Sequence, residues 1–397
     1  MDSPSCRERP KGTKPARVSI PLYFIRHGAV GGVENAAYNL VRGLAETGAE
    51  VTLHARERRR LAADFADFCD REPNVELRCR GRFPPPLQQL SDTRYGRFFE
   101  EYAFARTEAG SQDLTVFPNY FVPPGGSRHL GLRVGIVHDL QHRHLPQYFP
   151  AAKRAWLELA LRSTFQNADF VVFISNASLE DARRYYPQYA GDHWVVIPNA
   201  VSWEDFGEPD PESPFAFPYI LSVAHHFPHK NLETLLKAFA LVRHRLPDHR
   251  LVLTGQVKSS FTRSSAGHGV DLGGLVAELG IADHVVITGF VSRKRLGTLY
   301  THASCFAFPS VFEGFGLPPI EALGFGIPTI VSDIPVMAEV TMGLATRVMD
   351  YLSPSAWAEA LLQVLSSAVP AETGQHTMRQ TYSPAGIAAR LGALAAA

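Results

Sequence analysis

Two glutamates, Glu313 and Glu321, stand eight positions apart in the segment FEGFGLPPIEALGFG, which spans residues 312–326. Between them lie Gly314, Gly316 and a Pro-Pro pair, and a strand-like run, CFAFPS, comes just before. A strand, a glycine turn and a helix N-terminus together form a cradle for phosphate, because backbone N–H groups point outward there. A carboxylate on each side of the cradle can accept hydrogen bonds from hydroxyls. The pattern therefore predicts a site for phosphate joined to polyhydroxylated rings, the chemistry of a nucleotide sugar.

Two further glycine- or histidine-containing loops follow strand-like runs and suit the same ligand. In SVAHHFPHKN, Lys230 stands beside a helix start at Asn231, where it can stabilise the charge of a leaving diphosphate, and His225 follows the strand. In RHGAVGGVENAAYNL, the glycines Gly31 and Gly32 place bare backbone at another helix N-terminus. Their spacing does not fulfil the dinucleotide fingerprint G-x-G-x-x-G.

Histidines in two loops raise the question of proton transfer and of metal binding. His138 and Asp139 end the run LRVGIVHD, where a side chain can hydrogen-bond a sugar hydroxyl, move a proton or simply hold the loop. His225 and His229 are four residues apart. They lie in a loop without a carboxylate or cysteine at ligand spacing, so we predict no metal site.

Short apolar runs alternate with helical patterns along most of the chain, which predicts an α/β protein with parallel sheets covered on both faces. Ligands bind outside the carboxyl ends of the strands in such sheets, where the candidate residues above lie. The predicted helices lie at 33–47, 232–246, 272–279, 293–302, 318–325 and 355–366, with Asn231 and Ser292 as N-caps of two of them. The predicted strands lie at 18–25, 50–55, 75–79, 114–119, 132–139, 170–175, 194–199, 219–224, 250–255, 284–289, 305–310 and 328–333.

The length of 397 residues predicts two doubly wound domains rather than one core. Residues 1–17 are polar and basic and read as a flexible tail. The segment 202–218 is rich in proline and acidic residues and reads as a linker between an N-terminal domain, 18–201, and a C-terminal domain, 219–375.

Composition limits the partners and the compartment. Lys and Arg together number 39, as do Asp and Glu, so no basic excess favours nucleic acid. The four cysteines show no CxxC pairing, which predicts reduced thiols in a cytoplasmic protein rather than a disulfide framework or a zinc site. No apolar run reaches the roughly 18 residues of a membrane span. A peripheral position at the inner membrane face is left open.

These segments together resemble the retaining glycosyltransferases of family 4, whose GT-B fold has two Rossmann-like domains facing each other across a cleft. The pieces follow the family's order over about residues 18–390: GGVE, HDL, VVFIS, VIPNAV, the HKN unit, ITGFVS and PSVFEGFGLPPIEAL. The last is the family's Glu-x7-Glu signature, in a variant most similar to that of bacterial mannosyltransferases. Residues 376–397 include TYSPAGIAARLGAL, which resembles the family's closing helix, a helix that packs back on the N-terminal domain.

The resemblance implies a role for each matching residue. Glu313 would contact the donor sugar, Glu321 the ribose hydroxyls and Lys230 the diphosphate. His138 would lie near the transferred sugar and Val291 near the nucleotide base. His138, Glu313 and Lys230 would form the catalytic set. The remaining donor-binding residues would be the backbone of the phosphate cradle, two glycines of the cleft and a histidine where the family commonly has arginine: Gly314, Phe315, Gly316, Leu317, Gly31, Gly32 and His225.

The implied activity is that of a retaining, metal-independent hexosyltransferase that uses no cofactor. It would move a hexose, with mannose as one candidate, from a nucleoside-diphosphate sugar (GDP-mannose or a UDP- or dTDP-sugar) to a hydroxyl of a saccharide, a lipid-linked or a small-molecule acceptor, as in polysaccharide biosynthesis. Since His225 replaces an arginine, an alternative is a catalytically impaired nucleotide-sugar-binding protein that acts as a partner or sensor. A nucleotide-dependent oxidoreductase is disfavoured because the dinucleotide fingerprint is missing.

Overall fold

The computed structural model describes residues 15–25, 32–79, 96–107, 111–125, 128–255, 271–367 and 372–395. Its strands are β1 (Arg17–Pro21), β2 (Glu50–Ala55), β3 (Val75–Cys79), β4 (Leu114–Phe117), β5 (Leu132–Val137), β6 (Phe170–Phe173), β7 (Trp194–Val196), β8 (Tyr219–Val223), β9 (Arg250–Thr254), β10 (Val285–Gly289), β11 (Cys305–Phe308), β12 (Thr329–Ser332) and β13 (Thr346–Val348).

Helices alternate with these strands, as the sequence predicts. The α-helices are α1 (Gly32–Glu46), α2 (Ala63–Arg71), α3 (Gly96–Thr107), α4 (Gln141–His144), α5 (Ala151–Asn167), α6 (Asn176–Tyr185), α7 (Leu232–Val242), α8 (Leu272–Glu278), α9 (Arg293–Thr301), α10 (Leu317–Gly324), α11 (Pro335–Val340), α12 (Pro354–Ser366), α13 (Glu372–Thr381) and α14 (Pro384–Gly392). In the described part of the chain, none of them is both long and apolar enough to cross a membrane.

The strands form two sheets, of seven and six strands, which share the order of their first six strands. The first has the order β3-β2-β1-β4-β5-β6-β7 and the second the order β10-β9-β8-β11-β12-β13. The pairs β1–β2, β8–β9 and β11–β12 are parallel. The strand order reverses beside β1 in one sheet and beside β8 in the other, which is the doubly wound, Rossmann-like arrangement. The predicted α/β fold class with two such sheets is confirmed.

The core beneath the second sheet explains why α7 is a helix. Leu235, Leu236 and Phe239 are fully buried, and their three- and four-residue spacing places them on one face. That face packs against α12, from which Trp357 and Leu361 are also fully buried. The apolar period of 3.6 residues thus fixes α7 against the sheet and sets the position of the loop just before it.

The two predicted N-caps behave differently. Ser292 caps α9, since its hydroxyl accepts the backbone N–H of Arg295 at 3.3 Å. Asn231 precedes α7 in a left-handed conformation, with φ at 53°, and its side chain makes no capping bond. Its amide instead donates to the carbonyl of Tyr351 at 3.2 Å, and its side-chain oxygen accepts from the hydroxyl of Thr234 at 2.7 Å. Asn231 therefore joins the first turn of α7 to the Tyr351 segment through side-chain bonds, without capping a backbone N–H of the helix.

The chain divides into two compact units. The first holds the described residues up to Ile136, Ser163–Val171 and those from Ala388 onward, and the second holds Val137–Arg162 and Val172–Ile387. All but the last three residues of the predicted tail 1–17 lie outside the described residues. The predicted domain boundaries stay predictions: 18–201, 202–218, 219–375 and 376–397.

Candidate functional site

The loops after β8 and β11 meet at one edge of the second sheet. The two strands are parallel neighbours, with Cys305 opposite Ile220, so both loops leave from the same edge. The first loop ends in a one-turn 3-10 helix whose last residue is Lys230, and the second carries Glu313. The ammonium of Lys230 donates to the Glu313 carboxylate at 2.5 Å. Two residues predicted for one site are therefore in direct contact at the point where the strand order reverses.

The Lys230–Glu313 ion pair is largely shielded from solvent. The side chains of Lys230 and Glu313 are only 16% and 12% exposed. The Lys230 ammonium also lies 5.3 Å from the ring centroid of Phe308, the last residue of β11. Because an ammonium has three N–H donors, the bond to Glu313 leaves donor capacity for a second anion.

Backbone contacts hold these two loops together. The backbone N–H of Val311 donates to the carbonyl of His229 at 2.8 Å, and the Ser310 hydroxyl donates to the same carbonyl at 3.1 Å. Burial, and then the adjacent Lys230, lower the pKa of His229 to about 3. It is therefore neutral at pH 7, and the positive charge of the loop belongs to Lys230.

Gly314 allows a close approach of two chain segments. A Cβ atom on Gly314 would lie 2.1 Å from the carbonyl oxygen of His138 and 2.9 Å from the Cβ of Asp139. The Gly314 carbonyl accepts hydrogen bonds from the hydroxyls of Ser175, at 2.8 Å, and Ser178, at 3.3 Å. His138 itself is buried and directly follows β5. The structure thus brings His138 beside the glycine loop, as the predicted site requires.

The start of α10 offers backbone donors rather than side chains. Gly316 precedes the helix with φ at +95°, a conformation that side-chain-bearing residues rarely adopt. Pro318 and Pro319 occupy the first turn and have no N–H, so the free donors of this helix end belong to the segment up to Leu317. The Phe315 side chain turns inward and meets the ring of Tyr382 edge-on at 5.7 Å. Phe315 can therefore contribute to a ligand site only through its backbone.

Glu321 lies one turn further along α10 with both carboxylate oxygens engaged. Its Oε1 accepts from a guanidinium N–H of Arg293 at 2.8 Å, and its Oε2 accepts from the Tyr300 hydroxyl at 2.9 Å. Burial, with Glu321 beside it, raises the pKa of Tyr300 well above its ordinary value. Burial alone would lower the pKa of Arg293, but the Glu321 carboxylate raises it above its usual range. Glu321 is thus a fixed acceptor with a permanent positive partner.

Of the other predicted residues, His225, Val291 and Gly32 lie within the described ranges. His225 is half-buried after β8, with its ring edge-on to Phe227 at 6.1 Å, and Val291 is half-buried after β10. Gly32 is exposed at the start of α1 and belongs to the first unit, whereas Gly31 lies outside the described residues. Within the described ranges, no group of three or more His, Cys, Asp or Glu side chains is placed to hold a metal ion.

The contacts that hold Glu321 could not be predicted from the sequence. Arg293 and Tyr300 are seven positions apart in the predicted helix 293–302, so they lie on one helix face two turns apart. That spacing is compatible with a shared partner but does not identify one. The partner comes from α10, and only the folded structure brings the two helices together.

Two family models match most of the chain. Residues 30–204 match the model for glycosyltransferase family 4, and residues 209–381 match the model for glycosyl transferases group 1. The chain is a group 1 glycosyltransferase of the family 4 type. The family predicted from the sequence is therefore confirmed.

This glycosyltransferase is similar to two bacterial enzymes named for O-antigen synthesis. It is 28% identical over 204 residues to the O-antigen chain mannosyltransferase RfbU of Salmonella typhimurium, covering 51% of this chain and 53% of that relative. It is 28% identical over 265 residues to the O-antigen chain mannosyltransferase B of Escherichia coli, covering 62% and 64%. The chain thus matches less than two thirds of the length of either relative.

The glycosyltransferase also has the fold of solved relatives. The sucrose-phosphate synthase of Thermosynechococcus elongatus superposes with a TM-score of 0.71 at 20% identity, covering 96% of this chain and 98% of that one. At this identity the likeness concerns the fold alone. It confirms the predicted GT-B fold.

Proposed function

We propose that this glycosyltransferase moves a hexose from a nucleoside-diphosphate sugar to an acceptor hydroxyl, with retention at the anomeric carbon. One observation carries the proposal: Lys230 and Glu313 are paired at 2.5 Å beside the start of α10, with Glu321 buried one turn further along that helix. An ammonium, a helix N-terminus and two carboxylates suit a diphosphate joined to a sugar on one side and a ribose on the other.

The leaving diphosphate needs positive potential more than it needs a strong base. Lys230 retains two N–H donors besides the one given to Glu313, and the backbone N–H groups before α10 add to the field. We propose that these groups stabilise the diphosphate without a metal ion or other cofactor. The pairing with Glu313 would keep the ammonium oriented toward the point where the bond breaks.

Each carboxylate takes a separate part of the donor in this proposal. Glu313 would accept hydrogen bonds from the sugar hydroxyls, and its contact with Lys230 supports a position of the sugar next to the diphosphate. Glu321 would accept those of the ribose. His138, whose carbonyl lies against the glycine loop, would face the transferred sugar, and Val291 would lie toward the base. His225 belongs to the same proposed donor site, whereas Gly31 and Gly32 stay predictions from the sequence.

The names of the relatives favour mannose as the transferred sugar. We propose GDP-mannose as the first donor to test, with UDP- and dTDP-sugars as alternatives, and a saccharide or lipid-linked acceptor of polysaccharide biosynthesis. Cytoplasmic action, at the inner membrane face for a lipid-linked acceptor, is part of this proposal. The alternative of an impaired binding protein is not favoured, since the relatives RfbU and mannosyltransferase B are both named for transferase activity.

A donor screen followed by two variants tests the function. Thermal shifts with GDP-mannose, UDP-glucose, UDP-N-acetylglucosamine and dTDP-rhamnose identify the donor, and NMR of the product reports the anomeric configuration. At saturating donor, Lys230→Ala and Glu321→Ala should each lower turnover strongly, and Lys230→Ala by about 100-fold, the typical loss of an electrostatic stabiliser. Lys237→Ala, an exposed lysine on α7, is the matched control. Near-normal transfer by both site variants would refute the assignment.

A further inference from the structure

The surroundings of Glu321 identify a residue that the proposed function does not yet use. Glu321 is only 4% exposed. A carboxylate has about four acceptor positions, and Arg293 and Tyr300 occupy one on each oxygen. One acceptor position on each oxygen thus stays available, which suits the two neighbouring hydroxyls of a ribose.

Arg293 is clamped between this carboxylate and an aromatic ring. Its guanidinium carbon lies 3.9 Å from the ring centroid of Phe206, which is fully buried. The ring can lie there because α9 has a glycine at the contact: a Cβ on Gly297 would be 3.1 Å from the Cβ of Phe206. A planar guanidinium stacked on a ring keeps its N–H fork in a fixed direction. The Phe206 ring therefore directs Arg293 toward Glu321.

The charge of Arg293 offsets the free-energy cost of burying the Glu321 carboxylate, which the neutral Tyr300 hydroxyl cannot offset alone. A buried carboxylate is strongly disfavoured unless it has a charged partner. Among the described residues, Arg293 is the cation that forms an ion pair with Glu321. The Arg293 side chain is still 24% exposed, so the arginine side of the ion pair is open to solvent.

We propose that Arg293 is a positioning residue of the nucleotide subsite. It holds the Glu321 carboxylate in the orientation in which one free acceptor position on each oxygen meets the 2′- and 3′-hydroxyls. The donor class is then a ribonucleoside diphosphate sugar, such as a GDP- or UDP-sugar, rather than a deoxyribonucleoside one. This inference rests on the proposed function of the site.

Calorimetry on the full chain with GDP, UDP and their 2′-deoxy analogues tests the inference. The wild type should bind the ribonucleotide about tenfold tighter or more, the effect of one hydrogen bond to a charged group. Arg293→Met should reduce this preference to about twofold or less, and Arg293→Lys to about threefold, because lysine keeps the charge but not the stacked fork. Arg295→Met, an exposed arginine on the same helix, is the matched control and should keep the full preference.

The ratio of the two affinities separates positioning from a general structural effect. A loosened site would weaken both nucleotides equally and leave the ratio unchanged, which would overturn the inference. So would a wild type that binds both nucleotides equally. If Arg293→Met does not fold, as its thermal unfolding would reveal, Arg293→Lys decides, and full ribose preference in that variant overturns the inference. A wild type that binds dTDP but neither GDP nor UDP would overturn the inference alone, whereas one that binds none of the three would overturn the proposed function, and the inference with it.

Discussion

Replacing Gly314 by alanine is the most direct perturbation of the proposed phosphate cradle. The new methyl carbon would lie 2.1 Å from the carbonyl oxygen of His138, whereas an unstrained carbon–oxygen contact is about 3.3 Å. The overlap is about 1.2 Å, and the atom it meets is backbone. Since no side-chain rotation can relieve the contact, the loop or the segment after β5 must move.

The expected loss of stability follows from two contributions. Overpacking of a fitted site costs about 1–3 kcal/mol. A shift of the loop would also weaken the hydrogen bond from the Ser175 hydroxyl to the Gly314 carbonyl, now 2.8 Å long, at about 1 kcal/mol. We therefore expect Gly314→Ala to lower the free energy of unfolding by about 2–4 kcal/mol, and the melting temperature by roughly 2–8 °C.

Urea unfolding and thermal unfolding, each beside a donor-binding measurement, check this prediction. The matched control is Gly392→Ala at the end of α14, where an added Cβ meets no atom within 4 Å. The control should be neutral or slightly stabilising, because alanine favours a helix over glycine. If Gly314→Ala stays within about 0.5 kcal/mol of the wild type and binds donor normally, the reasoning from the close approach to His138 is refuted.

Three further outcomes follow from the same structure. Lys230→Met and Glu313→Gln should each destabilise the fold, because each leaves the partner's shielded charge without its counter-ion. In a double-mutant cycle measured by urea unfolding, the double variant should lose at least about 1 kcal/mol less stability than the sum of the two single variants, and simple additivity would contradict the pairing. The pKa of His229 is about 3 in the folded protein and about 6.5 in the unfolded chain, so on acidification only the unfolded chain protonates this imidazole. The free energy of unfolding should therefore fall by at most about 2 kcal/mol between pH 7 and pH 5 through this group. The His229→Gln variant should lack that part of the decline. If its unfolding free energy depends on pH as that of the wild type does, the low pKa of His229 is contradicted. Iodoacetamide should label the exposed thiol of Cys79 but not Cys305, because burial raises the pKa of the Cys305 thiol to about 12. Mass spectrometry after labelling of the folded protein measures this, and a modified Cys305 would contradict its burial.

Most strands could be predicted because apolar runs bounded by turn residues are a strong local signal. Strand β2 begins at Glu50 and β8 at Tyr219, as predicted. Strand β13 was missed because it has three residues, of which only Val348 is buried, so it has no apolar run. Helix α5 was missed because apolar residues such as Leu159, which is 66% exposed, also lie on its outer side and obscure the helical period.

The region of the site could be predicted from the strand order, but the contacts within it could not. Loops after parallel neighbouring strands meet at one edge, so the sequence places Lys230 and Glu313 in the same region. Their direct contact joins residues 83 positions apart and depends on side-chain conformations, which no local pattern encodes. The same holds for Arg293 and Glu321, 28 positions apart, since the helix packing that joins them also involves the ring of Phe206.

The hydrogen bonds to the Gly314 carbonyl bear on attempts to exchange donor specificity between relatives. A fragment beginning at Tyr219 would contain the whole second sheet and both glutamates, yet it would lack the hydroxyls of Ser175 and Ser178. It would also lack the His138 carbonyl against which Gly314 packs. A chimera joined at the middle of the chain would therefore pair one parent's glycine loop with the other parent's supports. Such chimeras should carry residues 137–162 and 172–186 together with the C-terminal half.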